Sequence, residues 1–193
     1  MALDIVSIEH LPAQYAVHIA LFRQVSNAAF LQQQLLSRNA EFEYAFVDAS
    51  TILSRTQLLS SIFKAVIAAS NKALKTPNVH SETVLSLSAS NNITDAYRRF
   101  GISPSTQHLA VIKITCPPSV PQPDAIWSHL MTHVQGHPIE PTDMHFAALC
   151  DLPKVRKYYK LNGLGWLDAI KSQEQARAEM DKMVLSAMAL RGV

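Results

Sequence analysis

The apolar positions of this chain change period several times, and each change marks an element. Residues 3–8 and 15–22 (YAVHIALF) are short apolar runs separated by Pro12, and they predict two strands. Residues 27–37 (NAAFLQQQLLS) switch to helical spacing, with Ser26 or Asn27 placed as the cap. Residues 44–48 (YAFVD) predict a third, short strand. The longest helix runs from 56 to about 75, where Leu58, Ile62, Ala65, Val66, Ala69 and Ala73 fall on one stripe. Helices over 81–88 and 92–100 follow, then a strand over 108–115 (HLAVIKIT). The run CPPSVPQP, 116–123, is a proline-rich surface loop. Residues 124–134, 141–149 and 152–159 predict three more helices, and 166–190 an amphipathic one. Strands are few, helices are many, and they do not alternate regularly. The pattern predicts a single α+β domain over 1–193, a small, largely antiparallel sheet covered by several helices.

The stretch SASNNITDAYRRFGIS, 88–103, carries signals for both ends of its helix. Asn92 can accept from the free amides of the first turn, and Asp95 is placed to reach back in a weak capping box. Ile93, Ala96, Tyr97 and Phe100 fall on one apolar face. Arg98 and Arg99 sit where cations favour a helix end. Gly101 is expected to turn left-handed at C′, with Ile102 packing back on the last turn.

Composition narrows the class. The chain is 48% hydrophobic and 17% charged, which is a folded domain rather than a disordered segment. No apolar run is long enough to predict a membrane span. The opening MALDIVSIEH has an early acid and no basic n-region, so no secretory signal is expected. Cys116 and Cys150 form no spaced framework and read as reduced thiols of an intracellular protein.

The net charge of +2 is unevenly placed. Residues 55–103 carry six basic and two acidic groups, and 152–193 carry eight basic and four acidic. The segments before each are acidic. Two basic segments brought together would make a positive face suited to a polyanion. Lys72, Lys75, His80, Arg98 and Arg99 end or follow helices close in sequence, and they converge if those helices are neighbours. Such a cluster would serve phosphates, and exposed bases of a single strand could stack nearby.

Signals for catalysis are weak. His129 and His133 share a helix face, with His137 and His145 nearby, and zinc binds such pairs. A zincin carries glutamate directly after the first histidine, whereas here Leu130 stands there and cannot take a proton. His137 lies between Gly136 and Pro138, off the helix. NGLGW, 162–166, lacks the lysine of a phosphate loop and reads as a turn. No nucleophile stands with a base, which favours a binding subunit over an enzyme. The last helix lines up Ala176, Met180, Met183, Val184, Ala187 and Leu190 on one stripe, with Met188 beside it. That stripe either packs on the sheet or offers an adaptable face to a partner.

NVHSETVLSLSASNNITDAYRRFGIS, 78–103, resembles the signature of the small kinase-binding subunit of the KEOPS/EKC complex, the PRPK-binding protein family. Ser81, Glu82, Leu87, Ser88, Asn92, Ile93, Asp95, Ala96, Tyr97, Arg99, Phe100, Gly101 and Ile102 fit its pattern. ALFRQVSNAAFLQQQL (20–35), FVDASTILSRTQLLSSIFKAV (46–66) and VRKYYKLN (155–162) are similar to further family segments. SAMALRGV (186–193) is similar to the ending of fungal members.

The resemblance implies a non-catalytic protein that needs no cofactor. Its expected partners are a PRPK/Bud-type atypical protein kinase and, through it, the other subunits. It also implies tRNA binding, chiefly at the single-stranded 3′ CCA end, in support of threonylcarbamoyladenosine formation beside the anticodon. Roles in telomere maintenance and transcription, and a place in nucleus and cytoplasm, are expected with it. The tRNA site is expected at Lys72, Lys75, His80, Arg98 and Arg99. The kinase face is expected on the last helix, at Met180, Met183, Val184, Ala187 and Leu190. One departure stands out: Pro77 replaces an arginine that is common in the family, and a proline brings neither charge nor amide donor. The alternatives are a free-standing nucleic-acid binder without an obligate kinase and a metal hydrolase built on His129 and His133.

Overall fold

The computed structural model describes residues 3–191. Five strands form its sheet: β1 (Leu3–Val6), β2 (Ala16–Arg23), β3 (Ala45–Asp48), β4 (His108–Thr115) and β5 (His137–Ile139). Their order is β1-β2-β4-β3, and every pairing is antiparallel. Val17 stands opposite Ile114, and Ala45 opposite Ile112. β5 continues the line of β1, pairing Leu21 with Ile139 where β1 has ended.

Both faces of the sheet are covered, which is why β2 and β4 read as nearly unbroken apolar runs. Side chains alternate between the faces. Val17, Ile19, Leu21, Ala110, Ile112 and Ile114 point into the larger core. Ala20, Phe22, Leu109 and Val111 point into the smaller one.

Nine helices surround the sheet among the described residues: α1 (Ala28–Leu36), α2 (Arg55–Ser70), α3 (Val79–Ser86), α4 (Ile93–Phe100), α5 (Pro123–His133), α6 (Asp143–Leu149), α7 (Leu152–Tyr158), α8 (Gly165–Asp168) and α9 (Gln173–Ala189). α1 and α5 cover the smaller core through Leu31, Ile126 and Leu130. The others contribute Leu58, Ile62, Val84, Phe100, Phe146, Val155, Leu167, Val184 and Met188 to the larger one. The α+β expectation holds, with the whole sheet antiparallel.

Four local expectations differ. α2 stops at Ser70, because Lys72 adopts φ +55° and the amides of Lys72 and Ala73 turn back to the carbonyls of Ala69 and Ala68. That is a left-handed C-terminal cap built on a lysine, and it leaves Ala73 exposed and off the stripe. The last helix is two helices, α8 and α9, with Ser172 capping the second. β5 has no strong strand signal in its three residues and exists because β2 offers it a free edge. Gly101 is extended, at φ −74° and ψ 166°, rather than left-handed. It is needed there for space: a Cβ would meet the Tyr97 carbonyl oxygen at 2.7 Å. The close pass lets the chain run directly from α4 onto the outer edge of β3, where Ile102 donates to the Phe46 carbonyl.

Candidate nucleic-acid groove and the neighbouring helical face

A groove of about 680 Å³ opens between the end of α1, the 3-10 turn Ala40–Phe42 and the pair α3 and α4. Phe42, Tyr44 and Phe46 supply an aromatic side, and Tyr97 and Val84 stand against it. Arg38, in the turn after α1, and Arg98, on α4, bring guanidinium groups beside the single carboxylate of Glu43, and Pro77, Asn78 and Ser81 bring in the start of α3. An apolar, partly aromatic cleft with cationic groups suits an unpaired base and its phosphate.

α4 holds its basic end in place with its own acid. Asn92 caps the helix, accepting from the Asp95 amide at 3.0 Å. The Asp95 carboxylate does not reach back to the cap; it turns forward to Arg98 and Arg99. The Arg98 hydrogen bond, with help from Arg99, holds Asp95 below the usual carboxylate range. The two arginines then differ. The Arg98 side chain is 74% exposed and lines the groove. Arg99 is 28% exposed: it pairs with Asp95 at 2.8 Å, donates to the Tyr158 carbonyl at 3.1 Å and lies over the Tyr158 ring. Arg98 is therefore free to meet a ligand, and Arg99 fastens α4 to α7.

Lys72 and Lys75 are exposed on the loop that leads to the groove, but neither lines it. The Lys75 ammonium donates to Asn91 at 3.1 Å. His80 needs correction. It is 4% exposed and turned into the core, where Nε2 accepts from the Ile114 amide at 3.0 Å. β3 begins at Ala45, opposite Ile112, so it does not reach Ile114, and this imidazole accepts there in its place. Burial, with Lys113 nearby, pushes its pKa down to about 3. A neutral, enclosed histidine meets neither phosphate nor base. Arg38 is the contributor that sequence reasoning misses: it ends a helix far along the chain from Arg98, and only the fold brings the two to one groove.

The loop is fixed from below by Glu82, a carboxylate 2% exposed. Its Oε2 accepts from the amides of Lys75 and Thr76 and from the Thr76 hydroxyl, at 2.8–3.0 Å. Its Oε1 faces Arg191 at 4.0 Å, just past α9. Arg191 in turn donates to the Leu85 carbonyl and to Ser86. One buried carboxylate thus ties the groove loop to the end of the last helix.

The Met stripe of that helix faces inward. Met180, Val184 and Met188 are buried in the larger core, and Met183 and Ala187 pack half-buried against it. Met180 and Val184 therefore form no outer surface, while Leu190 is 67% exposed. The surface beside the stripe is a shallow apolar groove of about 430 Å³ between α2 and α9, lined by Leu59, Phe63, Leu185 and Ala189.

Of the histidines of the metal reading, His129 and His133 lie together on α5, with ring centroids 4.5 Å apart, and His137 and His145 lie on other elements. His129 meets the Tyr44 hydroxyl at 3.0 Å through Nδ1, and both His129 and His133 lie against the Phe42 ring. His137 is in β5, and His145 Nδ1 meets the Glu140 carbonyl oxygen at 2.7 Å. Among the described residues, no three of His, Cys, Asp and Glu gather as a metal-ligand set. No helix among them is long and apolar enough to cross a membrane.

The protein is a small antiparallel sheet wrapped by helices, with Arg38 and Arg98 on one groove. The family model for the kinase binding protein CGI-121 matches residues 22–192, and this chain belongs to that family. It is similar to the EKC/KEOPS complex subunit CGI121 of Gibberella zeae, at 59% identity over the full length of both chains. The subunit of the same name from Neurospora crassa is 47% identical, again over the full length of both. That of Schizosaccharomyces pombe is 32% identical over 91% of this chain and 93% of its own.

Proposed function

We propose that this chain is a non-catalytic subunit of an EKC/KEOPS complex that binds a PRPK/Bud-type kinase and holds the single-stranded 3′ end of tRNA. Family membership supports the kinase and the complex. The tRNA reading rests on one observation: the groove sets Arg38 and Arg98 beside an aromatic side. Phosphates would meet the guanidinium groups, and an unpaired base would stack on Tyr97, the half-buried aromatic of the groove. The chain would deliver tRNA for threonylcarbamoyladenosine formation, with the chemistry done by another subunit. Work in nucleus and cytoplasm, and any part in telomere maintenance or transcription, would come through the same complex. Lys72 and Lys75 add long-range attraction, and Pro77 leaves one side of the groove without charge.

With Met180 and Val184 buried, the proposed kinase face is the outer α2–α9 groove, with Phe63 as its surface marker. Phe63→Asp is expected to release the kinase in a pull-down while leaving the circular dichroism spectrum unchanged. Retained kinase would overturn that placement. For tRNA, fluorescence anisotropy of the purified chain with intact and tail-less tRNA across a salt series is decisive. Binding should weaken without the tail and with rising salt. Pro77→Arg should tighten it, and unchanged affinity and salt slope would remove Pro77 from the site. Binding to neither tRNA would leave kinase support as the remaining role.

A further inference from the structure

The corner formed by α7 and α8 lies outside the groove, and its composition is unusual for a mere surface. Residues 152–171 carry five basic groups, Lys154, Arg156, Lys157, Lys160 and Lys171, against the single acid Asp168. Lys154 pairs with Asp48, and Arg156 pairs with Asp168. Among the described residues, Lys157, Lys160 and Lys171 have no carboxylate partner. The same corner exposes an indole. Trp166 is 51% exposed on α8, whereas the other tryptophan, Trp127, stacks against Phe22.

The corner is built rather than loose. Arg156 donates to the Leu161 carbonyl as well as to Asp168, which folds α8 back on α7. Lys160 adopts φ +57° and turns the chain off the end of α7. Leu161 and Leu167 are buried beneath. Arg99, lying over Tyr158 and donating to its carbonyl, joins this corner to α4, whose next residue, Arg98, lines the groove.

We propose that this corner is a second nucleic-acid contact, in which Trp166 stacks an unpaired base and Lys157 and Lys160 meet its flanking phosphates. An exposed indole and unpaired ammonium groups on one corner, whose two helices Arg156 and Asp168 tie together, are the chemistry of a single-strand platform. A duplex would hide its base faces from Trp166, so the ligand class is a single-stranded RNA segment. The proposal shares its ligand with the groove reading but depends on different residues.

The test uses full-length Trp127→Phe protein, in which Trp166 is the sole emitter. A single-stranded ribo-oligonucleotide and intact tRNA are titrated, with anisotropy recording binding. Trp166 emission is expected to be quenched as the RNA binds. Trp166→Ala should weaken binding about ten-fold, and Trp166→Phe should restore most of it. Lys157→Ala with Lys160→Ala should reduce the salt slope by about 1.4. The Arg38→Ala, Arg98→Ala double variant should weaken binding yet leave the residual complex quenching Trp166. Unquenched emission in a complex that anisotropy shows to be formed overturns this contact and spares the groove. Quenching that survives with affinity untouched by the Arg38 and Arg98 changes overturns the groove and spares this contact. Absence of RNA binding in the parent protein overturns both.

Discussion

α3 and α4 are neighbours of equal length, and the fold treats them in opposite ways. α3, VHSETVLS, is polar at five of its eight positions and lies buried from His80 to Ser86 apart from a half-buried Ser81. α4, ITDAYRRF, buries only Ala96 and Phe100, half-buries Asp95, Tyr97 and Arg99, and exposes Ile93, Thr94 and Arg98, so Ile93 leaves the expected apolar face for solvent. Polarity does not separate them; hydrogen-bond partners do. His80, Glu82 and Thr83 each find a backbone or side-chain partner inside, so their burial is tolerated. Arg98 finds only Asp95, and the rest of its guanidinium is left for solvent or ligand. α3 is thus the post that positions the loop, and α4 carries the working group.

The strongest way to break this division is at Glu82. Glu82→Ala would leave Arg191 buried without its counter-charge and strip two loop amides of their acceptor. A loss of about 3–5 kcal/mol is expected for such a broken buried pair, read by urea denaturation. An unchanged midpoint would mean that the loop and the end of α9 are held by other contacts.

Gly101→Ala comes next. Its Cβ would collide with the Tyr97 carbonyl, where backbone must shift, so about 1–3 kcal/mol should be lost. Gly163 is the control: it sits at φ +78° in open space, and Gly163→Ala should lose about 1 kcal/mol from strain alone. Thermal melts of the two variants rank collision against strain.

A pH series sharpens the comparison further. His80 is neutral in the fold, with its pKa pushed from 6.5 down to about 3. Below about 6.5 the unfolded chain takes up a proton that the native chain refuses, so native stability falls steadily toward pH 3. His18, His108 and His129 are also lowered by burial and act in the same direction. His80→Gln should therefore flatten part of the acid-side loss in urea midpoints rather than all of it. A variant with the full slope would show that another histidine dominates.

The smallest effect on stability is expected at Arg98. Arg98→Ala removes a surface ion pair and should leave the melting temperature within error. It should nonetheless lower the salt slope of tRNA binding by about 0.7. Arg99→Ala should do the reverse, loosening α4 from Tyr158 with little change in slope. Equal behaviour of the two would erase the distinction between working group and fastener.

Much of the architecture was legible in the chain itself. The nearly unbroken apolar run at 108–115 is β4 to the residue, and the Asn92 cap and the core face of Ala96 and Phe100 follow from spacing. The stripe at Leu58, Ile62, Ala65 and Val66 is the buried side of α2. These features depend on neighbours within a turn or on simple alternation, so local rules suffice. The basic end of α4 was legible too, because charge placement at a helix end is a local matter.

What tertiary structure decided lies where a residue's partner is far along the chain. His80 is read as a surface cation until β4 supplies the Ile114 amide that holds it inside. Met180 and Val184 are equally fit for a partner or a core until α9 docks on the sheet. Arg38 gains meaning only when the end of α1 faces α4 across the groove. The sequence by itself determined most helices and the longer strands, though not β5 or the break between α8 and α9, and which segments carry charge, since backbone propensity and periodicity are short-range. The fold decided which polar groups are satisfied inside and which stay free to bind, since that depends on distant donors, acceptors and the desolvation they offset.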